Sequence, residues 1–555
     1  KEEAYQTRLG FSQRSNAVVE PRISTQWFVA MRSLADQALA EVVDGRVQIH
    51  PEERFLNTYK YWLENIKDWC ISRQLWWGQR IPAWYDRDGN CFVAENEAEA
   101  QKLASTSDLV QDEDVLDTWF SSWLWPMEVF KGITQPNNPE VNYYYPTSVL
   151  VTGQDIIFFW VARMIMAGME YRHERPFEHV YFTGMVRDRQ GRKMSKSLGN
   201  SPDLLQLIDK YGADAVRFGI MISAPAGNDL LFDDLSPEQG KFFNNKIWNA
   251  LKLLKLWESR LSTKANPEGL TDPDVSGFAS SEAEDQALPK EFAVEWFESR
   301  LAQARQDVSK QLNEFKLSEA LKTIYSLIWD DFCSWYLEWI KPGFEEPMDI
   351  HVYNRTVEFF GSLMQLLHPF MPFITEEINE LLVPGSQHLS IKQFPSIATP
   401  DATILSQGEL LKEVITGLRD ARNKQRLKPR DEVKLYVLSD QQKIYERIQP
   451  ILLRQINASS IAFTAETLGN TISVVIGKDK FFLQTATEID TSHQRAELEK
   501  ELEYLKGFLV SVEKKLSNAR FVQNAKKEVV DMENKKKADA EQKIKLLEQS
   551  ISELA

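Results

Sequence analysis

The chain has 555 residues, of which 43% are hydrophobic and 26% charged, and its formal net charge is −16. This composition is ordinary for a protein with sizeable cores and allows three to five domains. The acidic balance argues against a uniformly basic nucleic-acid binder, so any polyanion has to bind on local patches. Cys70, Cys91 and Cys333 lie far apart without a Cys-x-x-Cys pair, which argues against a disulfide framework and a zinc ribbon and fits a reducing cytoplasm.

The segment after residue 142 has the pattern of an α/β unit. The runs "TSVLVTG" (147–153) and "HVYFTGMV" (179–186) predict two buried strands, with a helix from Ile156 to Tyr171 between them. The apolar part of that helix is too short to span a bilayer, so no contact with a membrane is expected. In open parallel sheets, ligands bind at the carboxyl ends of the strands, which Asp155 and the loop leading to Lys193 follow. An ordinary pair of turns is the alternative.

The stretch "GRKMSKSLGN" (191–200) places two lysines three residues apart among glycines, serines and an asparagine. Lysine is a compact charge on a flexible stem, and glycine and serine leave the backbone free to offer N–H groups to an anion. The stretch is therefore interpreted as a mobile clamp for an anion, with a solvated surface loop as the alternative.

From residue 236 the sequence predicts helices, beginning with the capping pattern "SPEQ". The predicted helices run from Lys241 to Arg260, from Glu291 to Asn313, from Ser318 to Ile340 and from His351 to Leu382. Residues 262–289 are rich in Gly, Pro, Ser and acidic residues and predict a long loop. A helix bundle without its own titratable constellation is more typical of a scaffold or a partner surface than of an active site.

Residues 408–488 predict a small α/β segment. The helical pattern "LLKEVITGLRDARNKQ" precedes three strand-like runs, "EVKLYVL", "SSIAFTA" and "TISVVIGKDKFFLQT". The last run contains a Gly-Lys-Asp hairpin turn.

The tail after residue 490 changes to a coiled-coil period. Apolar residues step by four and three in two seams, Leu498, Leu502, Leu505, Leu509, Val512 and Leu516, then Ala540, Ile544, Leu547, Ile551 and Leu554. Two seams of similar length joined by the break "SNARFVQNA" predict an antiparallel hairpin that folds on itself, and with it a monomeric chain. One long oligomerising helix is the alternative.

The pentapeptide "KMSKS" (193–197), after a strand of the predicted βαβ unit, resembles the signature of the class I aminoacyl-tRNA synthetases. Four further segments are similar to the valyl-tRNA synthetase family: "WCISRQLWWGQRIPAWY" (69–85), "DVLDTWFSSWLWP" (114–126), "VTGQDIIFFWVARM" (151–164) and "KFFNNKIWNALKLL" (241–254). Isoleucyl and leucyl members, which are kept as alternatives, are expected to carry other residues around Asp155.

The resemblance implies that the carboxylate of valine attacks the α-phosphorus of ATP, which is bound with Mg²⁺, and that pyrophosphate leaves. Charge on the β- and γ-phosphates then has to be stabilised. The catalytic residues implied are Lys193, Lys196, Ser195 and Ser197. The residues implied to contact ATP are Lys193, Met194, Lys196, Gly153 and Thr152.

The resemblance also implies a small apolar pocket for valine. Asp155 is expected to pair with the ammonium group of the substrate, while Ile156 and Trp160, four apart on one helical face, would lie opposite Trp119. Core packing is the alternative for the aromatic residues. Such a pocket rejects isoleucine by size but rejects threonine weakly, a limit for which valyl-tRNA synthetase is itself the standard example, so editing of mischarged threonine is implied for the full-length protein.

The lysine clusters of the tail predict contact with tRNA(Val). From residue 491 onward, 13 Lys and Arg stand against 12 Asp and Glu, in contrast to the acidic remainder. The lysines predicted to follow phosphates are Lys514, Lys515, Lys526, Lys527, Lys535, Lys536 and Lys537. Solvated faces of a coiled coil are the alternative.

The predicted fold class is α/β plus all-α, in five parts. Residues 1–22 would end an inserted editing domain, and residues 23–235 would form the C-terminal half of a Rossmann-type catalytic domain with the KMSKS loop. Residues 236–400 would form a helical anticodon-binding bundle, residues 401–490 a small α/β subdomain, and residues 491–555 a coiled-coil arm that binds tRNA. The alternative from another class is a non-catalytic tRNA-binding or assembly protein of synthetase fold.

Two departures from the family pattern are expected to matter. No His-x-Gly-His occurs in the sequence, so the chain resembles a C-terminal portion that lacks the HIGH half of the ATP site and most of the editing domain. Some relatives carry zinc-binding cysteines near "DGNCFVAE", but Cys91 stands alone there, so no zinc is predicted.

The 555-residue chain alone is expected not to form valyl-adenylate. Each lost group that stabilises transition-state charge costs on the order of 10²–10³ in rate. Valine-dependent ATP–pyrophosphate exchange by the purified chain checks this, and exchange above background would contradict the interpretation as a portion of the enzyme.

Overall fold

A computed structural model of the chain describes residues 8–12, 15–195, 198–224, 227–233, 235–261, 291–343, 346–466, 468–469, 471–485, 491–518 and 527–553. The predicted loop 262–289, residues 519–525 of the break in the tail, and the site residues Lys196, Ser197 and Lys526 lie outside these ranges. Among the helices described, none is both long and apolar enough to cross a membrane.

The chain divides into two compact units. The first contains residues 1–201 and 224–232, and the second contains residues 202–223 and 233–555. Helix Ala213–Ser223 belongs to the second unit because it packs closely on helix Leu235–Glu258, where the ring centroids of Phe218 and Phe243 are 5.3 Å apart. The five-part domain division stays a prediction.

The first unit is a mixture of short strands and helices. Its helices are Arg32–Val43, Glu52–Glu64, Glu97–Ala104, Thr118–Ser122, Trp125–Glu128, Pro139–Tyr144, Gln154–Ile156, Ile157–Ala162 and Arg163–Arg172. Its strands are Phe28–Val29, Gln48–His50, Trp69–Cys70, Ser72–Arg73, Ala83–Tyr85, Cys91–Val93, Val110–Gln111, Val115–Leu116, Thr147–Gly153, Phe177–Thr183, Val186–Arg187 and Leu230–Leu231.

The βαβ unit predicted from the sequence is confirmed. Strand Phe177–Thr183 lies between strands Gln48–His50 and Thr147–Gly153 and pairs parallel to both, with Thr183 opposite Gly153. The strands of this sheet therefore all point their carboxyl ends to one edge.

The connecting helix is less regular than predicted. A 3₁₀ turn at Gln154–Ile156 is followed by a π-helical segment at Ile157–Ala162, and only Arg163–Arg172 is α-helical. Residues Arg163 to Gly168 of the α-helical part are buried, as are Ile157, Val161 and Ala162 of the π-helical part. The prediction of one α-helix from Ile156 was wrong, because hydrophobic residues on all sides carry no period that distinguishes α from π geometry.

The second unit is mostly helical. Its helices are Leu204–Tyr211, Ala213–Ser223, Leu235–Glu258, Glu291–Asn313, Leu317–Ser326, the π-helical Leu327–Tyr336, Leu337–Ile340, Ile350–Leu367, Pro372–Leu382, Ala402–Lys424, Gln442–Ile456, Thr491–Leu516 and Lys527–Glu553. The helix predicted from His351 to Leu382 is instead two helices, because Pro369 and Pro372 interrupt the hydrogen-bonding pattern between them.

The small α/β segment contains a helix that the sequence pattern did not predict. Helix Gln442–Ile456 carries Pro450 in its interior, where proline is unfavourable because it removes a backbone hydrogen bond. The four strands are ordered Ala458–Phe463, Val433–Leu438, Asp479–Gln484 and Ile472–Ile476. The first pair is parallel and the others are antiparallel.

The antiparallel hairpin of the tail is confirmed. Ion pairs join its two helices, with Glu501 Oε1 2.9 Å from Lys543 Nζ and Glu513 Oε1 2.9 Å from Lys537 Nζ. Residue numbers in the second helix fall as those in the first helix rise, so the helices are antiparallel. Leu498, Val512, Ala540, Ile544 and Leu547 of the predicted seams are buried. The seams are therefore filled within one chain.

Candidate active site

The candidate site lies at the carboxyl ends of the parallel strands. Thr152 is buried, Gly153 is half-buried, and the Thr183 hydroxyl lies 3.4 Å from the Thr152 carbonyl oxygen. Gly184 ends the neighbouring strand against other backbone, since a Cβ built on it would lie 1.6 Å from the Asn228 carbonyl oxygen. Only glycine permits that approach.

Asp229 joins the two chain segments that leave these strands. Its carboxylate accepts the Gln154 side-chain amide at 3.2 Å and the Met185 backbone N–H at 3.0 Å, and it forms an ion pair with Arg187. The Met185 hydrogen bond, followed by the Arg187 contact, lowers the pKa of Asp229. Residues 191–200 are called the lysine loop. One carboxylate therefore holds both the turn before Asp155 and the strand that precedes this loop.

Lys193 and Asp155, predicted to bind different parts of the substrates, contact each other. Lys193 Nζ lies 3.1 Å from Asp155 Oδ2, and the two side chains are 59% and 54% exposed. An ion pair this open to solvent contributes about 1 kcal/mol or less. It is therefore weak enough for charged ligands to replace either partner.

The buried carboxylate of Asp188 stabilises the lysine loop through hydrogen bonds. Asp188 is buried and accepts the backbone N–H groups of Gln190 at 3.0 Å and Arg192 at 2.8 Å. It also accepts Asn200 Nδ2 at 3.0 Å, and this bond is the largest cause that lowers the pKa of Asp188 to about 2. Asp188 is therefore a carboxylate at any physiological pH.

Ser195 and Met194 lie in the described part of the loop. The Ser195 backbone N–H donates to Asn200 Oδ1 at 2.9 Å, and the Met194 N–H reaches the Val186 carbonyl at 3.4 Å. Both side chains are half-buried, whereas Lys193 is exposed.

Two of the aromatic residues predicted to form the valine pocket have defined contacts. Trp119 stacks on Phe159, with ring centroids 6.2 Å apart, while Trp160 Nε1 donates to the Ser122 carbonyl at 3.0 Å. No ring contact joins Trp119 to Trp160 within the described ranges. Ile156 ends the 3₁₀ turn and Trp160 lies in the π-helical segment, so the shared face of these two residues stays a prediction.

Asp117 orients the Trp119 side of this region. Its Oδ1 accepts the Trp119 backbone N–H at 2.9 Å as a helix cap, and its Oδ2 accepts Trp69 Nε1 at 3.2 Å. Arg73 forms an ion pair with the same carboxylate. Arg163 lies over the Trp69 ring at 3.5 Å, and burial lowers its pKa to about 10, so it is still protonated at neutral pH.

Sequence reasoning missed Asp117, Asp188, Asn200 and Asp229. Asp229 lies 75 residues from Gln154, and no local pattern connects them. Asn200 is the last residue of the stretch 191–200, and its position after the serines was the one local signal for its role.

Residues that could bind a metal are not grouped in the described part of the chain. No three His, Cys, Asp or Glu side chains come together there in a way that could hold a metal ion. Cys91 is exposed, on the strand Cys91–Val93.

The predicted tRNA-binding lysines divide by their contacts. Lys536 Nζ lies 2.7 Å and Lys515 Nζ 3.7 Å from the buried Glu533 carboxylate, and Lys537 pairs with Glu513. The exposed Lys514, Lys527 and Lys535 have no carboxylate partner among the described residues.

Three family models match successive parts of the chain. Residues 6–233 match tRNA synthetases class I (I, L, M and V), residues 294–437 match the anticodon-binding domain of tRNA ligase, and residues 490–555 match the valyl tRNA synthetase tRNA binding arm. Together they cover the strand-end site, the helical bundle and the hairpin. The class is therefore that of the class I tRNA synthetases.

Curated relatives match along the whole chain. Valine--tRNA ligases of Parabacteroides distasonis, Phocaeicola vulgatus and Chlorobaculum tepidum are 48%, 48% and 38% identical to it. Each alignment covers 100% of this chain and 62% of the relative. The chain belongs to the valine--tRNA ligase family and spans 62% of the length of these members.

Among solved structures, a methionyl-tRNA synthetase of Mycobacterium tuberculosis bound to methionyl-adenylate aligns with 70% of this chain and 71% of its own. The sequences are 18% identical and the TM-score is 0.47, a similarity too low to add to the assignment.

Proposed function

We propose that this chain acts in valine--tRNA ligation, in which valine is activated with ATP to valyl-adenylate and transferred to tRNA(Val). The observation that carries the proposal is the lysine loop, whose Lys193 lies 3.1 Å from Asp155 at the carboxyl ends of parallel strands, in a chain whose relatives are valine--tRNA ligases. Such strand ends are where α/β sheets bind nucleotides.

The loop supplies positive charge to the leaving pyrophosphate. ATP enters as its magnesium complex, which is a substrate here, and negative charge develops on the β- and γ-phosphates as the α-phosphorus is attacked. Lys193 and Lys196 stabilise that charge, and Ser195, Ser197 and Met194 form the loop that carries them. Thr152 and Gly153 bring backbone close to the nucleotide, since glycine leaves room for a ligand there.

The Lys193–Asp155 ion pair joins two groups that contact different substrates in this proposal. The valine ammonium group replaces Lys193 at Asp155, and the phosphates replace Asp155 at Lys193. Both exchanges conserve charge pairing, and the exposed ion pair that is lost contributes about 1 kcal/mol or less.

The side chain of valine lies against Ile156, Trp119 and Trp160. Phe159, which stacks on Trp119, extends that apolar wall. A pocket of this kind separates valine from larger residues by size and from threonine only weakly, so editing of threonine belongs to the full-length reaction.

The helical bundle and the hairpin bind tRNA(Val). The matches to an anticodon-binding domain and to a tRNA binding arm support this division of roles. Lys514, Lys527 and Lys535, which pair with no carboxylate among the described residues, supply positive charge to phosphates. Lys515, Lys526, Lys536 and Lys537 are included in the same proposed role.

The protein works as a monomer in the cytoplasm. Buried seam residues of the hairpin, Leu498 and Leu547, pack in one cluster with Val475 of the same chain, which supports a monomer.

Pyrophosphate exchange tests the proposed activity. The synthetase at the full length of its relatives should exchange pyrophosphate in the presence of valine, more weakly with threonine, and at background with isoleucine. Binding of tRNA(Val) without any valine-dependent exchange would instead identify a non-catalytic binder, and a preference for isoleucine or leucine would identify the wrong family member.

Asp155→Asn should weaken valine binding. A charge-assisted hydrogen bond becomes a neutral one, at a cost of about 1.5–3 kcal/mol or roughly ten- to a hundredfold in affinity. Isothermal titration of the full-length enzyme with valine measures it. Asp44→Asn is the matched control, since Asp44 is also an exposed aspartate paired with a basic residue, Arg46, in the same unit. Equal affinities in the two variants would remove Asp155 from the valine site.

Replacing Lys514 and Lys535 together by alanine should weaken tRNA binding and lower the slope of log affinity against log salt by about two, one for each phosphate contact. The loss of affinity should be similar for all tRNA sequences, because contacts with phosphates do not depend on the identity of the bases.

The matched control replaces Lys506 and Lys543, whose ammonium groups already contact Glu548 and Glu501 across the hairpin. This pair should change the salt slope less. Identical slopes for the two double variants and the unsubstituted enzyme would show that the hairpin lysines do not follow phosphates.

A further inference from the structure

Asn200 forms hydrogen bonds with two backbone positions of the lysine loop, at Lys193 and Ser195. We propose that Asn200, anchored by Asp188, is the positioning residue that sets the path of Lys193 to Ser195 for valine activation. This inference rests on the proposed function and names a further residue of the same site.

The amide of Asn200 uses both its donor and its acceptor groups. Oδ1 accepts the Ser195 N–H at 2.9 Å, while Nδ2 donates to the Lys193 carbonyl oxygen at 3.3 Å and to Asp188 Oδ2 at 3.0 Å. The reversed amide would set a donor against the Ser195 N–H and an acceptor against the carboxylate. The network therefore fixes the orientation of the amide and requires both of its chemical ends.

The Asp188 turn that anchors Asn200 is closed by several hydrogen bonds. Gly191, at a φ of +77°, donates its N–H to the Asp188 carbonyl at 2.8 Å, and the Asp188 N–H donates to the Arg192 carbonyl at 2.9 Å. Arg192 Nε lies 2.7 Å from the buried Asp188 carboxylate. Asn200 thus connects a closed turn to the segment that follows it.

Several backbone contacts place the segment from Lys193 to Ser195. Lys193 forms a bridge with Arg187, the Met194 N–H reaches the Val186 carbonyl at 3.4 Å, and the Leu198 N–H reaches the Ser195 carbonyl at 3.3 Å. The bond from the Ser195 N–H to Asn200 Oδ1, at 2.9 Å, is shorter than these two hydrogen bonds and contributes to where the loop turns. Without it, the Lys193 ammonium would spread over more positions, and a displacement of about 1 Å at a reacting centre can cost on the order of 10²-fold in rate.

Asn200→Ala and Asn200→Asp distinguish positioning from space filling. Aspartate has the shape of asparagine and keeps the acceptor for Ser195, but it sets a second carboxylate about one hydrogen-bond length from Asp188. Like charges this close are destabilising. Activity should therefore fall in the order asparagine, alanine, aspartate, whereas a residue that only fills space would rank aspartate above alanine.

Pyrophosphate exchange by the full-length enzyme gives the first readout. In Asn200→Ala the kcat should fall about ten- to a hundredfold, with the KM for valine changed less than about twofold, because the affected charge develops in the transition state. Asn90→Ala is the matched control: Asn90 Nδ2 donates to Asp86 Oδ2 at 2.8 Å in another aspartate turn of the same unit. Its kcat should be unchanged.

Hydrogen exchange at the Ser195 amide gives a readout that does not depend on activity. It should be faster in Asn200→Ala than in Asn90→Ala and the unsubstituted protein. Unchanged exchange at Ser195, or faster exchange with an unchanged kcat, would overturn the positioning role. Failure of the proposed function is distinguishable, because the unsubstituted enzyme would then show no valine-dependent activity before any variant is compared.

Discussion

Parallel pairing between strands Thr147–Gly153 and Phe177–Thr183 is the constraint on which the candidate site depends. Because Thr183 lies opposite Gly153, the two chain segments that leave the strands begin side by side. One carries Asp155 and the other leads to Lys193. A shift of the register by one residue would turn the side chains of one strand to the opposite face of the sheet. Residues 38 apart in sequence can therefore form an ion pair.

Carboxylates hold most of this region together, although the ligands proposed for it include a polyphosphate. Asp188 and Asp229 are both occupied by N–H donors, and these donors lower the pKa of each. The Asp188 carboxylate accepts hydrogen bonds within its turn, and the Asp229 carboxylate pairs with Arg187, while Lys193 is exposed to solvent. This arrangement separates the residues that shape the loop from the lysine that is proposed to contact the phosphates.

The sequence predicted elements whose signal is local and repeated. The hairpin followed from its seams, and the βαβ unit followed from two apolar runs around a helix. Helix Gln442–Ile456 was missed because Pro450 is unfavourable inside a helix, although surrounding packing tolerates it here. The turn from 3₁₀ to π geometry after Gly153 was missed because an apolar run has no period that separates helix types. The family resemblance indicated Lys193 and Asp155, but the contacts of Asn200 and Asp229 depend on tertiary structure.

Gly184 illustrates how a residue without any functional group can control this site. Its backbone lies directly against that of Asn228, so the separation of the two segments is set by main-chain atoms alone. Even a methyl group at this position has to push residues 227–231 outward, and Asp229 moves with them. Gln154 and Arg187 would then lose their common carboxylate together. A survey of substitutions should therefore find that position 184 tolerates them as poorly as a charged residue that contacts a ligand. The effects of the substitutions at this position should rank by side-chain volume rather than by polarity.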